Sequence, residues 1–166
     1  MKINTLHDAL VHELQDLYSA EVQLTKALPK MAKASSHEQL AEAIEEHLEQ
    51  TKGHVERLEK ALKQLGGSTR GEKCKAMEGL IEEGKSTLEL DADEMVRDAL
   101  IISVAQKVEH YEIAGYGTAR TFAQSLGEDK VASLLEDTLT EESETDRKLT
   151  KLAESAVNRD AEAANK

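Results

Sequence analysis

Three glutamates stand where a helical core would ordinarily place leucine. At about 100° of turn per residue, Leu10, Leu14, Leu17, Leu24, Leu28 and Met31 form one apolar stripe, and Glu21 falls inside it. Ile101, Ala105, Val108, Gly115, Ala119 and Phe122 form a second stripe with Glu112 in its middle. Val131, Leu135, Thr138, Leu149, Leu152 and Ala156 form a third around Glu142. Glutamate is almost never fully buried without a partner. Carboxylates gathered in a core repel one another unless a cation sits among them or some keep their protons. No lysine or arginine lies at the centre of these stripes. A shared metal site is therefore the chemistry that the pattern favours, with a ring of internal salt bridges or a solvated cleft as the alternative.

A fourth stripe (Ile44, Leu48, Thr51, Val55, Leu58, Leu62 and Leu65) carries the imidazoles. His47 and His54 lie on one edge of it, and Gln50 lies further out on the same side. An internal spacing favours His54. Glu21 precedes Gln50 by 29 residues and His54 follows four later; Glu112 precedes Glu142 by 30 and Asp146 follows four later. Residues at i and i+4 share a helix face, so both of a pair can reach one cation. The expected ligand sets are Glu21, Gln50, His54 and Glu112, Glu142, Asp146. Glu13 and Glu109, at stripe edges, are rivals. Oxygen-rich sites with an imidazole suit iron or manganese, and zinc competes. Each set offers the ligands for one divalent cation. The neutral amide of Gln50 forgoes Coulomb attraction, so its half should hold its ion more weakly.

Few breakers interrupt the elements that must position these residues. The chain has 166 residues with one proline, nine glycines and 2% aromatic residues. Long Ala/Leu/Glu/Lys stretches predict an all-α protein. Helices are expected from about Thr5 to Lys33, His37 to Leu65, Asp93 to the residues before Gly127, and Asp129 to Val157. A short fifth helix is expected near Cys74–Gly84. Asn4 or Thr5, Ser36, and Asp91 or Asp93 are the expected N-caps, and Pro29 should kink the first helix. Short links make the first two and last two long helices antiparallel hairpins, and the long link between hairpins is that of a ferritin-like four-helix bundle. Residues 1–158 form the expected domain and 159–166 a flexible tail.

Charge and cysteine content narrow the partners. With 33 acids against 21 bases, the net charge is -12, which argues against nucleic acid and anionic membrane surfaces. No apolar run reaches transmembrane length, and the N-terminus lacks a secretory signal pattern. The single Cys74 fits a reducing cytoplasm and excludes a cysteine-based metal site within one chain.

HELQDLYSAEVQLTKALPKMAKAS, EEHLEQTKGHVERLEKAL, CKAMEGLIEEGK and VEHYEIAGYGTAR together resemble the YciF/YciE-type ferritin-like family over residues 5–157. The resemblance implies a ferritin-like bundle with an added short helix, a dimer, a dinuclear centre with iron, and a bacterial stress response. Glu21, His54, Glu112, Glu142 and Asp146 resemble its pattern, whereas Gln50 stands where the family is often acidic. The chain has no strict Glu-x-x-His pair of the kind found in carboxylate bundles.

Other residues read as structural. Tyr18, Tyr111 and Tyr116 are expected to pack, Cys74 to be incidental, and His7, His12 and His37 to be surface or cap residues. His110 points away from Glu112, and Glu45, Glu46 and Glu141 should face solvent. Val11, Tyr18, Val22, Thr25, Ile102, Tyr116 and Gly117 lie off the main stripes, and a helix apolar on more than one side needs a second partner; a homodimer is expected. The functional readings are a di-iron centre acting on dioxygen or peroxide, a metal-binding stress protein with little turnover, and a purely structural dimerisation module with salt-bridged acids.

Overall fold

The computed structural model describes residues 2–164. The chain forms α1 (Leu6–Ala34), α2 (Glu38–Gln64), α3 (Lys75–Leu88), α4 (Glu94–Ser125) and α5 (Asp129–Leu152), followed by a π-helical turn at Ala153–Val157 and a short α6 (Asn158–Ala163). No strand occurs among the described residues. The helix runs through Pro29 to Ala34. The C-terminal segment expected to fray from residue 159 is helical to Ala163, and residues 165–166 lie outside the described part.

Local signals set the ends. Thr5 caps α1 through a reciprocal capping box with Asp8, and Asp93 caps α4 through the Met95 N–H. At the far ends, α2 and α4 stop alike. Gly67 N–H donates to Leu62 O and Gly66 N–H to Lys63 O; Glu128 N–H donates to Ala123 O and Gly127 N–H to Gln124 O. This reversal needs a left-handed residue, supplied by Gly66 and Gly127, both at φ 71°. Each hairpin is therefore closed, or its helix released, at a glycine that the sequence already marks.

The start of α2 departs from expectation. Ser36 does not cap it; His37 holds the N-cap position without a side-chain hydrogen bond. Instead the N–H groups of Ser36 and His37 donate to the buried Asp98 carboxylate of α4 at 2.9 and 2.8 Å. One hairpin is thus fastened to the other.

In the bundle α1 packs on α2 and α4, and α5 on α2 and α4, while α3 lies over α1 and α4. At Gly115 an added Cβ would come within 2.8 Å of Leu17 Cδ2, so a larger residue there would push that leucine side chain aside. The apolar core falls into two clusters. One gathers Leu24, Leu28, Leu40, Ile44, Ile101 and Leu149 among others; the other gathers Leu10, Leu14, Leu17, Leu58, Leu62 and Leu135 among others. Val11, Ile102 and Tyr116, read from the sequence as an outer face needing a second chain, are buried within this one. Ile102 is covered by the C-terminal turn and α6 packed on α4, whereas Tyr116 turns into the bundle toward Glu21 and His54 and Val11 packs beside Gly67.

Replacing Asp98 by alanine removes both acceptors at the hairpin junction. A charged acceptor lost to two N–H groups costs about 1.5–3 kcal/mol, so urea unfolding of Asp98→Ala should show that loss of stability. An unchanged midpoint would show that solvent satisfies the junction equally well.

Candidate metal centre

A polar layer separates the two apolar clusters. Glu21 of α1, His47 and His54 of α2, Glu109 and Glu112 of α4 and Glu142 of α5 are all 4% exposed or less. They form two groups that share Glu142. His47, Glu109, Glu112 and Glu142 can each offer a ligand atom within 4.8 Å of the others, and so can Glu21, His54 and Glu142.

Helical spacing explains the contributions. The inward face of α2 passes through His47, Thr51 and His54; a seven-residue step nearly completes two turns, so the two imidazoles share that face with ring centroids 6.3 Å apart. Glu109 and Glu112 are one turn apart on α4. Glu142 faces both histidines. Its Oε1 lies 3.0 Å from His54 Nδ1 and its Oε2 3.9 Å from His47 Nε2. Glu109 Oε1 lies 3.3 Å from His47 Nε2, and Glu21 Oε1 lies 3.3 Å from His54 Nδ1.

Of the six residues expected to bind metal, the structure brings together Glu21, His54, Glu112 and Glu142. Asp146 belongs to neither group of carboxylates and imidazoles. Gln50 is half-buried and accepts a 3.4 Å hydrogen bond from Thr145. Asp146 is turned toward α4, where Gln106 donates to it at 3.0 Å and the exposed His110 lies 3.3 Å away. The i, i+4 partners point off the central face because the faces of α2 and α5 run through Thr51 and Thr145 instead. Beside the four residues brought together stand His47 and Glu109. Both were visible as edge residues, and the signals that favour them are the i, i+7 relation of His47 to His54 and the i, i+3 relation of Glu109 to Glu112.

Surrounding residues hold this layer. Tyr116, fully buried, donates to Glu21 Oε1 at 2.5 Å. Glu141, expected to face solvent, bonds His54 Nε2 at 2.8 Å and is itself clamped by Arg57 at 2.5 and 2.8 Å. A carboxylate on the outer nitrogen fixes the ring orientation and aims Nδ1 at the cluster. Cys74 is buried, caps α3, and its Sγ lies 3.0 Å from the Tyr111 hydroxyl.

Electrostatics divide the two groups. Burial, with Glu142 and Glu21 nearby, pushes the Glu109 and Glu112 carboxyls well above their usual range. Burial also raises Glu21. Glu142 is held below the usual range: burial opposes this, but the His54 hydrogen bond and the two neighbouring imidazoles prevail. His54 is pushed up to about 10 because Glu142 and Glu21 outweigh its burial, whereas burial lowers His47.

The residues fit divalent metal ions. Eight oxygen and nitrogen atoms of the six side chains are buried without a hydrogen-bond partner, including both oxygens of Glu112. Four carboxylates balance two divalent cations, and the oxygen-rich set with two imidazoles matches iron or manganese, with zinc competing.

A helical bundle of two hairpins, joined by a long crossover and carrying this layer, is a ferritin-like protein. The chain belongs to the DUF892 family, described as a domain of unknown function, whose profile matches residues 5–162. It is 50% identical to Protein YciF of Escherichia coli strain K12 over 163 residues, 98% of both chains. The crystal structure of that E. coli stress protein superposes with a TM-score of 0.90 over 94% of this chain and 99% of the other. YcfI from Rhodopseudomonas palustris is 43% identical, with a TM-score of 0.86 over 90% and 95% of the two chains. A two-domain protein from Anabaena variabilis, containing DJ-1/ThiJ/PfpI-like and ferritin-like domains, is 16% identical. It matches with a TM-score of 0.62 over 93% of this chain and 38% of its own, a likeness of fold alone. No helix of the described residues is long and apolar enough to cross a membrane.

The shifted groups set a pH dependence. Glu109 and Glu112 have folded values above the unfolded 4.5, so their contribution is complete below 4.5 and is lost as pH rises through the folded values. His54 acts in the same sense, complete below 6.5 and lost toward about 10. Glu142 acts oppositely, losing its contribution only as pH falls below 4.5. Melting of chelator-treated protein should therefore show a temperature that falls as pH climbs above neutrality. A melting temperature that rises over that range would contradict the protonation pattern.

Proposed function

We propose that the layer is a dinuclear metal centre, iron in the first place, in a bacterial stress protein that oxidises Fe(II) or consumes peroxide. Glu112 carries the reading. Both of its oxygens are buried and unpartnered among three other carboxylates, an arrangement that salt bridging does not explain. Glu142 would be shared between the two groups, since its two oxygens face the two histidines. Glu21 and His54 would hold one ion; His47, Glu109 and Glu112 would hold the other. When bound, an iron pair supplies two electrons: two Fe(II) reduce one dioxygen to hydrogen peroxide, or one peroxide to two waters, with uptake of two protons. Tyr116 orients Glu21, and Glu141 with Arg57 orients His54. The stress-response assignment rests on the E. coli relative, a stress protein by its structure's description, and the cytoplasmic assignment on the lone reduced Cys74.

Protein purified without a histidine tag should carry two divalent ions per chain, and chelation should lower its melting temperature. Glu112→Leu should lose metal. The same variant should stabilise the metal-free protein by about 1–3 kcal/mol, the usual cost of burying an unsatisfied polar group. Retention of both ions by Glu112→Leu would remove Glu112 from the ligand set. Absence of metal from the wild type, with indifference to chelator, would favour the structural reading.

A two-fold dimer is part of the proposal. Its support is the outer face of α1, where Tyr18, Val22 and Thr25 stay only half-buried. Light scattering at micromolar concentration should give twice the 18.3 kDa chain mass, and a monomer mass would exclude it.

A further inference from the structure

We propose that the bundle contains a chamber and access route for a small uncharged gas, with dioxygen as the chemical fit, on the His47–Glu109 side of the polar layer. The inference builds on the metal reading and selects between its two oxidants.

Two cavities carry it. The inner one offers about 20 Å³ to the centre of a water-sized molecule. A single water needs about 10–15 Å³ of such space, so one diatomic fits. Its walls are apolar side chains such as Leu28, Ile44, Ala105 and Leu149, and His47, Glu109 and Thr145 close the polar end. The outer one is a groove of about 230 Å³ between α1, α3 and α4, floored by Leu80, Ile81 and Leu88 of the crossover helix. Leu24, Met31 and Val108 line both cavities. Those three side chains are the partition between them, and rotamer changes of such residues occur without backbone movement.

The lining selects the occupant. Among the described residues no acid lines the outer groove, and Lys26, Lys30 and Lys85 stand along it beside Gln23, so it repels a metal cation and offers it almost nothing to exchange for its hydration shell. Hydrogen peroxide carries two O–H donors that apolar walls leave unpaired. Water needs two to four polar partners. In the chamber, His47 and Glu109 direct their atoms at the proposed ion, and the Thr145 hydroxyl is engaged with Gln50 and His47 at 3.4 and 3.5 Å. Dioxygen has no donor to satisfy, and apolar surroundings welcome it. The route would deliver it beside the group formed by His47, Glu109, Glu112 and Glu142.

Xenon is the direct probe, because dry apolar cavities bind it. Crystals of metal-free wild type pressurised with xenon should show an atom against Leu24, Ala105 and Val108. A chamber without xenon would overturn the proposal whether or not the protein binds metal. The second arm uses Fe(II)-loaded protein and Ala105→Leu, which fills the chamber. Oxidation by dioxygen should slow several-fold at unchanged Fe(II) stoichiometry, while oxidation by added hydrogen peroxide keeps its wild-type rate. Unchanged dioxygen kinetics, or equal slowing with both oxidants, would overturn the route. Should Ala105→Leu fail to fold, Val108→Phe at the partition is read in the same two assays. Failure of wild type to retain Fe(II) would sink the metal reading alone, leaving the xenon result to decide whether the gas chamber exists.

Discussion

The structure turns on one unfavourable fact: four carboxyl groups and two imidazoles are buried in a single layer of a helical bundle. Such a layer contributes no apolar stabilisation, and its unpaired atoms cost about 1–3 kcal/mol each when deprived of water. The stabilisation must come from either side of it. That is why the core divides in two, one leucine-rich cluster reaching toward the α1–α2 turn and the other toward the opposite end. It is also why the helices are long. A helix of 27–32 residues, as in α1, α2 and α4, leaves several turns of apolar residues on each side of a mid-length ligand.

The two groups within the layer are relieved unequally when no cation is present. On the Glu21 side a protonated His54 faces Glu142 and Glu21, and its outer nitrogen meets Glu141, which Arg57 holds in place. Charge there is nearly compensated by protein groups. On the other side His47 is kept neutral by burial and Glu109 and Glu112 keep their protons. Relief by protonation is reversible, and a cation would replace protons at both places at once. Glu142 couples the halves, since one of its oxygens belongs to each.

Fold and site were legible in the sequence to different degrees. The four long helices, both hairpins and the crossover followed from Gly66, Gly127 and the apolar stripes, because chain reversal at a helix end is a local property, whereas α6 did not. Glu21, Glu112 and Glu142 were legible because a carboxylate in the middle of a leucine stripe contradicts its surroundings. Gln50 and Asp146 were preferred over His47 and Glu109 for a reason that helical wheels cannot resolve. A stripe edge is inward or outward according to which neighbours flank the helix, and α2 and α5 each meet two. The burial of Ile102 was missed because the C-terminal turn and α6 cover a face of α4 that the sequence reading left bare, and that of Tyr116 because its ring turns inward to Glu21 and His54. Asp98 was invisible because its partners are backbone groups some 60 residues away.

The crossover is more than a connection. It leaves α2 at Gly66 and must return to the end of the bundle where α4 begins. It climbs the outer face of α1, and side chains along that face peg it in order. Gln15 donates to Ser68 O at 2.9 Å, Ser19 accepts from Cys74 N–H at 2.8 Å, and Gln23 donates to Cys74 O at 3.0 Å. Cys74 then meets Tyr111, whose hydroxyl donates to Asp16 at 2.5 Å, so one linkage joins α1, the start of α3 and α4. Tyr111 is the residue before Glu112. A helix held at that point from α1, α3 and α5 cannot rotate Glu109 and Glu112 toward water to recover their lost solvation. The crossover therefore holds these carboxyl groups in the layer, and its helix lines the outer groove between α1 and α4.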